Sequence, residues 1–236
     1  GGSGAAFLSG RAGPRFCLAA IMAKRRFIDS RIFPYHITAR ANNREIFPGD
    51  LRYIWKTFNS ELCLLGKSHS IRVHAFLLMP NHFHLVLTSP CRPAFEPLMR
   101  FLSASTRIIN AKYVRWGRIF GAPYHWSLID DPLYYAHVIK YVYRNPVKAK
   151  FCEAVENYPF STVCIPDSGG EYGLQLSRPL NDLDRLIPSC AHYLSWLNKP
   201  HRGEENQAIK KALRRRKFEI PVNRSDRKLI RLSNPA

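Results

Sequence analysis

The run Ile71-Arg72-Val73-His74-Ala75-Phe76-Leu77-Leu78-Met79, followed by Pro80-Asn81 and then His82-Phe83-His84-Leu85-Val86-Leu87-Thr88, decides how the chain is read. Two apolar stretches of strand length, Ile71–Met79 and Phe83–Thr88, are interrupted only by two turn-forming residues, which is the signal of a β-hairpin. Successive side chains on a strand point to opposite faces, so His82 and His84 share one face and Phe83 takes the other. Two imidazoles on one rigid strand make half a site for a divalent cation, with Mg²⁺ or Mn²⁺ suited if an oxygen ligand completes the set. A pair of histidines beside a turn also fits one core residue and one hydrogen-bonded residue, so the pair needs support from elsewhere in the chain.

Outward from the hairpin, Tyr35–Arg40 reads as a strand and Tyr124–Ile129 as another. Apolar residues at helical spacing (Leu51, Ile54, Trp55, Phe58, Leu62, Leu65) predict a helix over 49–66, with Gly66 as its C-cap. Helical patterns also cover Pro93–Trp116 and Pro132 to about Lys150. The order strand, helix, strand, strand, helix, strand, helix predicts an α+β fold, a mainly antiparallel sheet flanked by helices. Residues 1–21, opening on Gly-Gly-Ser-Gly, are expected to be a tag or leader, with the domain proper over 22–163. A turn-rich stretch around Pro166–Gly173 marks a linker over 164–180, and a basic, mostly helical extension is expected over 181–236. Within it, short helices are expected over 181–197 and a basic helix over 203–218.

Composition narrows the function. Of 236 residues, 36 are Lys or Arg and 17 are Asp or Glu, a net charge of +19 that points to a polyanionic partner, nucleic acid before a membrane surface. No apolar run approaches the ~18 residues of a spanning helix. The six cysteines are dispersed with no CxxC pair, which argues against a zinc finger or ribbon and suits reduced thiols in a cytoplasmic protein. The absence of a Gly-rich GxxxxGK[S/T] loop (Gly66-Lys67-Ser68 has Glu61 where the first glycine would stand) and of GxSxG and HExxH patterns argues against P-loop, serine hydrolase and zincin chemistry.

A second constellation, Tyr141-Val142-Tyr143-Arg144-Asn145-Pro146, supports the imidazole pair. Tyr141 and Asn145 lie four apart, hence one turn from each other on the same helix face. Asn145 can offer an oxygen as a third ligand, and Tyr141 is then held beside the ion. A phenol is a poor nucleophile at neutral pH, but a cation on a scissile phosphate lets it attack and store the bond as a phosphotyrosine. Tyr143 is the competing nucleophile on a different helix face, and amphipathic packing is the plain alternative for both tyrosines.

Tyr35-His36-Ile37-Thr38-Ala39-Arg40, Met79-Pro80-Asn81-His82-Phe83-His84, Tyr141 through Ala149 and Tyr158-Pro159-Phe160-Ser161-Thr162, in that order, resemble the motifs of the REP-associated tyrosine transposases. These are members of the HUH single-stranded-DNA transposases, and Phe83 stands at the hydrophobic position between the histidines. The resemblance implies a ferredoxin-like or RRM-like sheet and a cytoplasmic, nucleoid-associated enzyme, monomer or homodimer, that cleaves and rejoins single-stranded DNA beside REP-like hairpins. It implies His82, His84 and Asn145 as ligands of Mg²⁺ or Mn²⁺, and Tyr141 as the nucleophile that leaves a 5′-phosphotyrosine. DNA contacts are expected from Arg40, Arg144 and Lys148, and from Lys210, Lys211, Arg214, Arg215 and Arg216 of the basic extension. The chain departs from the family at Gly121-Ala122-Pro123-Tyr124, where an arginine is usual, and at Ala149-Lys150-Phe151. The competing readings are a non-catalytic RRM-like single-strand-binding module and a rolling-circle initiator or relaxase. Relaxases commonly place the nucleophile near the N-terminus, whereas Tyr141 here follows the histidine pair.

Overall fold

The computed structural model describes residues 27–91, 93–122, 124–163, 173–179, 182–220 and 232–233. The leader expected at 1–21, most of the 164–180 linker and most of the extension beyond 220 lie outside the described residues.

Four strands form the sheet: β1 (Tyr35–Arg40), β2 (Arg72–Met79), β3 (His82–Thr88) and β4 (His125–Leu128), in the spatial order β2-β3-β1-β4. Every neighbouring pair is antiparallel. With helix α1 (Leu51–His69) between β1 and β2, and α2 (Phe95–Lys112) between β3 and β4, this is the split β-α-β of a ferredoxin-like fold. The expected hairpin is present: Met79 pairs with His82 across the two-residue turn Pro80-Asn81. A bulge between Val73 and Ala75 shifts the alternation of β2 by one residue. His74, the extra residue, is buried between Thr88 Oγ1 and the Ser177 carbonyl.

Some helix boundaries differ from the sequence expectation. Helix α1 starts where Asp50 accepts the Arg52 amide at 2.9 Å, but it passes through Gly66 for another turn. The added turn buries His69, and the helix ends where Ser70 turns left-handed (φ 55°). Helix α2 stops at Lys112 rather than Trp116, and Val114 just beyond it has a positive φ of 49°. The third helix is broken. α3 (Pro132–Tyr143) and the single turn α4 (Asn145–Lys148) meet at Arg144. Pro146 has no N–H for the Val142 carbonyl, and the Asn145 side-chain amide serves that carbonyl instead, at 3.3 Å. The basic helix expected over 203–218 is only α6 (Glu205–Ala212), preceded by α5 (Cys190–Asn198). Like charges at Arg214, Arg215, Arg216 and Lys217 disfavour another turn. The chain there extends instead along β4, with Leu128 N–H donating to Arg216 O and Phe218 N–H to Leu128 O, both at 2.8 Å.

Two cores result. One sheet face carries Ile37, Phe76, Phe83 and Leu85 against α1 and α2, with Phe58 and Phe101 at its centre. The opposite face carries Ala75, Leu77 and Val86 against α3, and over them pack Trp196, Leu197, Ile209 and Phe218 of the C-terminal segment. Both sheet margins are covered by irregular chain. Residues 160–162 and 176–177 bond to β2, and 216–218 bond to β4. Among the described residues no helix is long and apolar enough to cross a membrane, and Cys63, Cys91 and Cys152 are free thiols.

Candidate active site

Strand register decides which side chains meet. Opposite Cα partners share a face, so Thr38–His84 and Arg40–His82 project from one side of β1 and β3, and His36, opposite Val86, joins them. This is the face covered by α3. Asp131 caps that helix by accepting the Tyr134 amide at 3.1 Å, with Pro132 in its first turn. The C-terminal segment holds α3 from the far side. Tyr134 packs on Phe218, His137 stacks on His201 with ring centroids 5.4 Å apart, and the Lys140 ammonium lies 5.1 Å above the Trp196 ring. Arg144 donates from Nη1 to the Leu197 carbonyl at 3.1 Å and also to that of Asn198.

So held, α3 delivers Tyr141 to the histidines. Its ring meets His84 edge-on, with centroids 5.9 Å apart, and His84 lies 5.1 Å from His82. Tyr143, the alternative, lies elsewhere: it is buried in the core, its hydroxyl 3.0 Å from Thr162 Oγ1. Burial pushes the Tyr141 phenol above its ordinary pKa, while Arg214 and Arg40 pull it back. Asn145 donates through Nδ2 to the carbonyls of Tyr141 (2.8 Å) and Val142 (3.3 Å), which turns its Oδ1 away from the helix end. A cavity of about 190 Å³ is walled by Tyr141, Asn145 and Lys148 on one side and by His201 and Asn206 of the C-terminal segment on the other.

Burial also sets the charge state of the imidazoles. His36 is pushed down to about 3 and His82 to about 4, the latter aided by Arg40. His84 is held well below its usual value by burial and by its neighbours His36, His82 and Arg40. All three are therefore neutral at physiological pH, the state in which an imidazole can ligate a cation.

The tautomers follow from the hydrogen bonds. Asn81 Nδ2 donates to the Arg44 carbonyl at 3.2 Å, so the other end of that amide, Oδ1, must accept from His82 Nδ1 at 2.6 Å. His82 thus carries its proton on Nδ1 and keeps the lone pair of Nε2. His84 Nδ1 lies 2.8 Å from His36 Nε2. One arrangement leaves the Nε2 lone pair of His84 exposed: Nδ1–H donating to His36. A buried partner on the far nitrogen of each imidazole is how ligand histidines are usually oriented. Among the described residues no group of three or more His, Cys, Asp or Glu side chains converges as a metal cage. The chemistry of two neutral imidazole nitrogens nevertheless fits a cation whose remaining positions are filled by oxygen donors.

The DNA contacts expected from sequence fall into two groups. Arg40 and Arg214 lie near enough to act on the Tyr141 phenol, and Lys148 lines its cavity with Lys210 close enough to repel it. Arg144 spends hydrogen bonds on the end of α5, and Arg215 pairs with Glu219 at 3.7 Å. Lys211 and Arg216 are exposed. Sequence reasoning assigned no role to His36 or Asn81. The signal for Asn81 was its place in the turn directly before His82, whereas His36 becomes visible only with the β1–β3 register.

No protein-family model and no curated protein matches the sequence. Among solved structures, the chain is similar to a REP-associated tyrosine transposase bound to a REP hairpin, with 19% identity and a TM-score of 0.52. The match covers 68% of this chain and 94% of that one. The chain therefore shares that structure's fold, a four-stranded antiparallel sheet flanked by helices. A candidate transposase from Deinococcus radiodurans overlaps more loosely, with 15% identity and a TM-score of 0.36 over 55% of this chain and 92% of that chain.

Proposed function

We propose that the protein is a divalent-metal-dependent transposase or endonuclease of the HUH type, which cleaves and rejoins single-stranded DNA through a phosphotyrosine on Tyr141. The observation that carries this reading is the meeting of one helix-borne phenol with two neutral strand-borne imidazoles, at 5.9 Å from the nearer ring. The fold likeness and the charge of +19 support the same reading.

In this reading His82 Nε2, His84 Nε2 and Asn145 Oδ1 hold Mg²⁺ or Mn²⁺. When bound, the ion supplies Lewis-acid polarisation of the scissile phosphate. Tyr141 Oη, delivered by α3, attacks phosphorus in line. The P–O3′ bond breaks, the phenolic proton is given up, and the departing 3′ oxygen takes a proton to become a hydroxyl. The 5′ phosphate remains esterified to Tyr141, and a 3′-hydroxyl can reseal the strand by the reverse attack. Arg40 and Arg214 stabilise the anionic phenolate as it forms, countering the burial that disfavours it. The substrate proposed is single-stranded DNA flanking a REP-like hairpin.

The test is incubation with Mn²⁺ and a labelled single-stranded oligonucleotide carrying a hairpin, followed by a denaturing gel. A covalent protein–DNA band is expected, lost by at least about 10³-fold in Tyr141→Phe, with Tyr143→Phe retaining it. Tight binding without a covalent band on any hairpin-bearing substrate would favour the non-catalytic binding module.

A further inference from the structure

The segment between α2 and β4 is anchored at its base and open at its tip. Asn42 N–H donates to Ile119 O at 2.7 Å, Gly121 N–H to Arg40 O at 3.2 Å, and Ala41 bridges Phe120. A Cβ on Gly121 would stand 3.0 Å from Asn42 Cα, so glycine there permits the close approach. Ile119 and Phe120 are buried, whereas every residue from Val114 to Arg118 is exposed. Trp116 is 93% exposed, the most open of the large hydrophobic side chains among the described residues.

The tip is built, not loose. Asn110, in the last turns of α2, donates Nδ2 to Gly117 O at 2.8 Å and accepts Arg115 N–H on its carbonyl at 2.9 Å. Gly117 takes a φ of 92°, and Val114, a β-branched residue, is held left-handed at 49°. Such a conformation is costly for valine and persists only where the surroundings impose it, a circumstance that clusters at functional sites. Its effect is to turn an indole into solvent, with the exposed Arg115 before it in sequence and Arg118 two residues after it.

An indole that contributes no packing to the fold, flanked by two cations, matches the flat face of a nucleobase with a phosphate on each side. We propose that Arg115, Trp116 and Arg118 form a docking platform for single-stranded DNA, with Trp116 stacking on one unpaired base and the arginines meeting the adjacent phosphates. Charge complementarity selects this occupant over an apolar protein surface: the chain carries +19, and Arg40 and Arg44 are exposed on the strand end to which the loop is anchored, with Glu45 as the acidic neighbour. Arg40 is also the residue paired with His82. A strand seated on the platform therefore continues along the same sheet end toward the imidazole pair, and in naming DNA as that strand the proposal rests on the reading above.

The experiment measures binding of a fluorescein-labelled, hairpin-free 20-mer by anisotropy, without divalent metal, so that cleavage does not enter. Trp116→Ala is expected to weaken single-strand binding about tenfold, Trp116→Tyr to retain most of it, and duplex binding to change little. The double change Arg115→Gln with Arg118→Gln is expected to reduce the slope of log affinity against log salt by about 1.4, or 0.7 per phosphate. Wild-type affinity in Trp116→Ala, or an equal loss for duplex and single strand, overturns the platform. If wild-type protein with Mn²⁺ yields no covalent adduct while Trp116→Ala still loses single-strand affinity, the cleavage reading falls and the platform stands. An adduct with unchanged binding in Trp116→Ala removes the platform alone.

Discussion

The two faces of one sheet are built to different ends. Against α1 and α2, Phe58 contacts Phe47, Phe76, Phe83, Phe101 and Phe120, while Trp55 stacks on Phe76 at 5.1 Å. That interlocked aromatic cluster provides dispersion and apolar burial. Against α3 and the C-terminal segment, the same strands bury His36, His74, His84 and Ser127. Ser127 Oγ, His137 Nδ1, Trp196 Nε1 and His201 Nε2 there are buried without a hydrogen-bond partner, against Ser105 Oγ and Tyr124 Oη on the first side. Polar groups left in that state destabilise, so the second face carries more of that cost than the first. Alternation along β3 lets both arrangements share a strand: Phe83 serves one face, and its neighbours His82 and His84 the other.

The contrast is broken most sharply at adjacent positions. Phe83→Ala should lower unfolding free energy by about 3–5 kcal/mol in urea denaturation. His84→Ala should leave the protein folded at 25 °C and abolish Mn²⁺ binding measured by calorimetry. Comparable destabilisation by the two would mean that the faces do not differ in kind. Next in size are the residues behind the imidazoles. Asn81→Ala and His36→Leu should each weaken Mn²⁺ about 10- to 100-fold, and His36→Gln, which can still accept from His84, should recover part of that. Unchanged titration curves would remove both as positioning residues.

A smaller effect is pH-dependent stability. His74 is held down at about 4 by burial, against 6.5 as its ordinary value. The folded chain therefore takes up this proton only at lower pH than the unfolded chain does. The stability it contributes is complete above pH 6.5 and declines as pH falls toward 4, by roughly 1–2 kcal/mol at pH 5. Denaturation midpoints at pH 7, 6 and 5 should show that decline, and it should be shallower in His74→Gln. The smallest difference is expected between two exposed arginines. Arg214→Gln should weaken single-strand binding roughly two- to fivefold at low salt, and Arg215→Gln, already paired with Glu219, by less. Equal losses would show that the whole basic run acts as a diffuse field.

Much of the first face was legible in the sequence because its signals are local. The hairpin is marked by two apolar runs around Pro80-Asn81, and Tyr35–Arg40 begins and ends where the pattern says. The alignment of His82 with His84, and of Tyr141 with Asn145, was legible for the same reason, since period two on a strand and a four-residue step on a helix project side chains predictably; that the helix brings Tyr141 to the histidines was implied by the resemblance and not by any periodicity. What escaped depends on contacts distant in sequence. Helix α1 runs past Gly66 because a buried His69 outweighs one glycine, and α3 breaks at Arg144 because Pro146 leaves a carbonyl for Asn145 to serve. The fit of Trp196, Leu197 and Phe218 over α3 joins residues more than fifty apart, beyond any periodicity. His36 was visible as a strand residue, but its partnership with His84 is a diagonal contact that only the register creates.

The irregular chain along the sheet margins has a consequence for self-association. A ladder ending in bare N–H and C=O groups invites a second molecule to continue it, but here β2 is bonded to residues 160–162 and 177, and β4 to Arg216 and Phe218. Two copies that tried to join their sheets would first have to peel away Phe160 and Thr162, or the stretch that also carries Phe218 into the core. Docking through helices or through a shared nucleic acid requires no such unzipping.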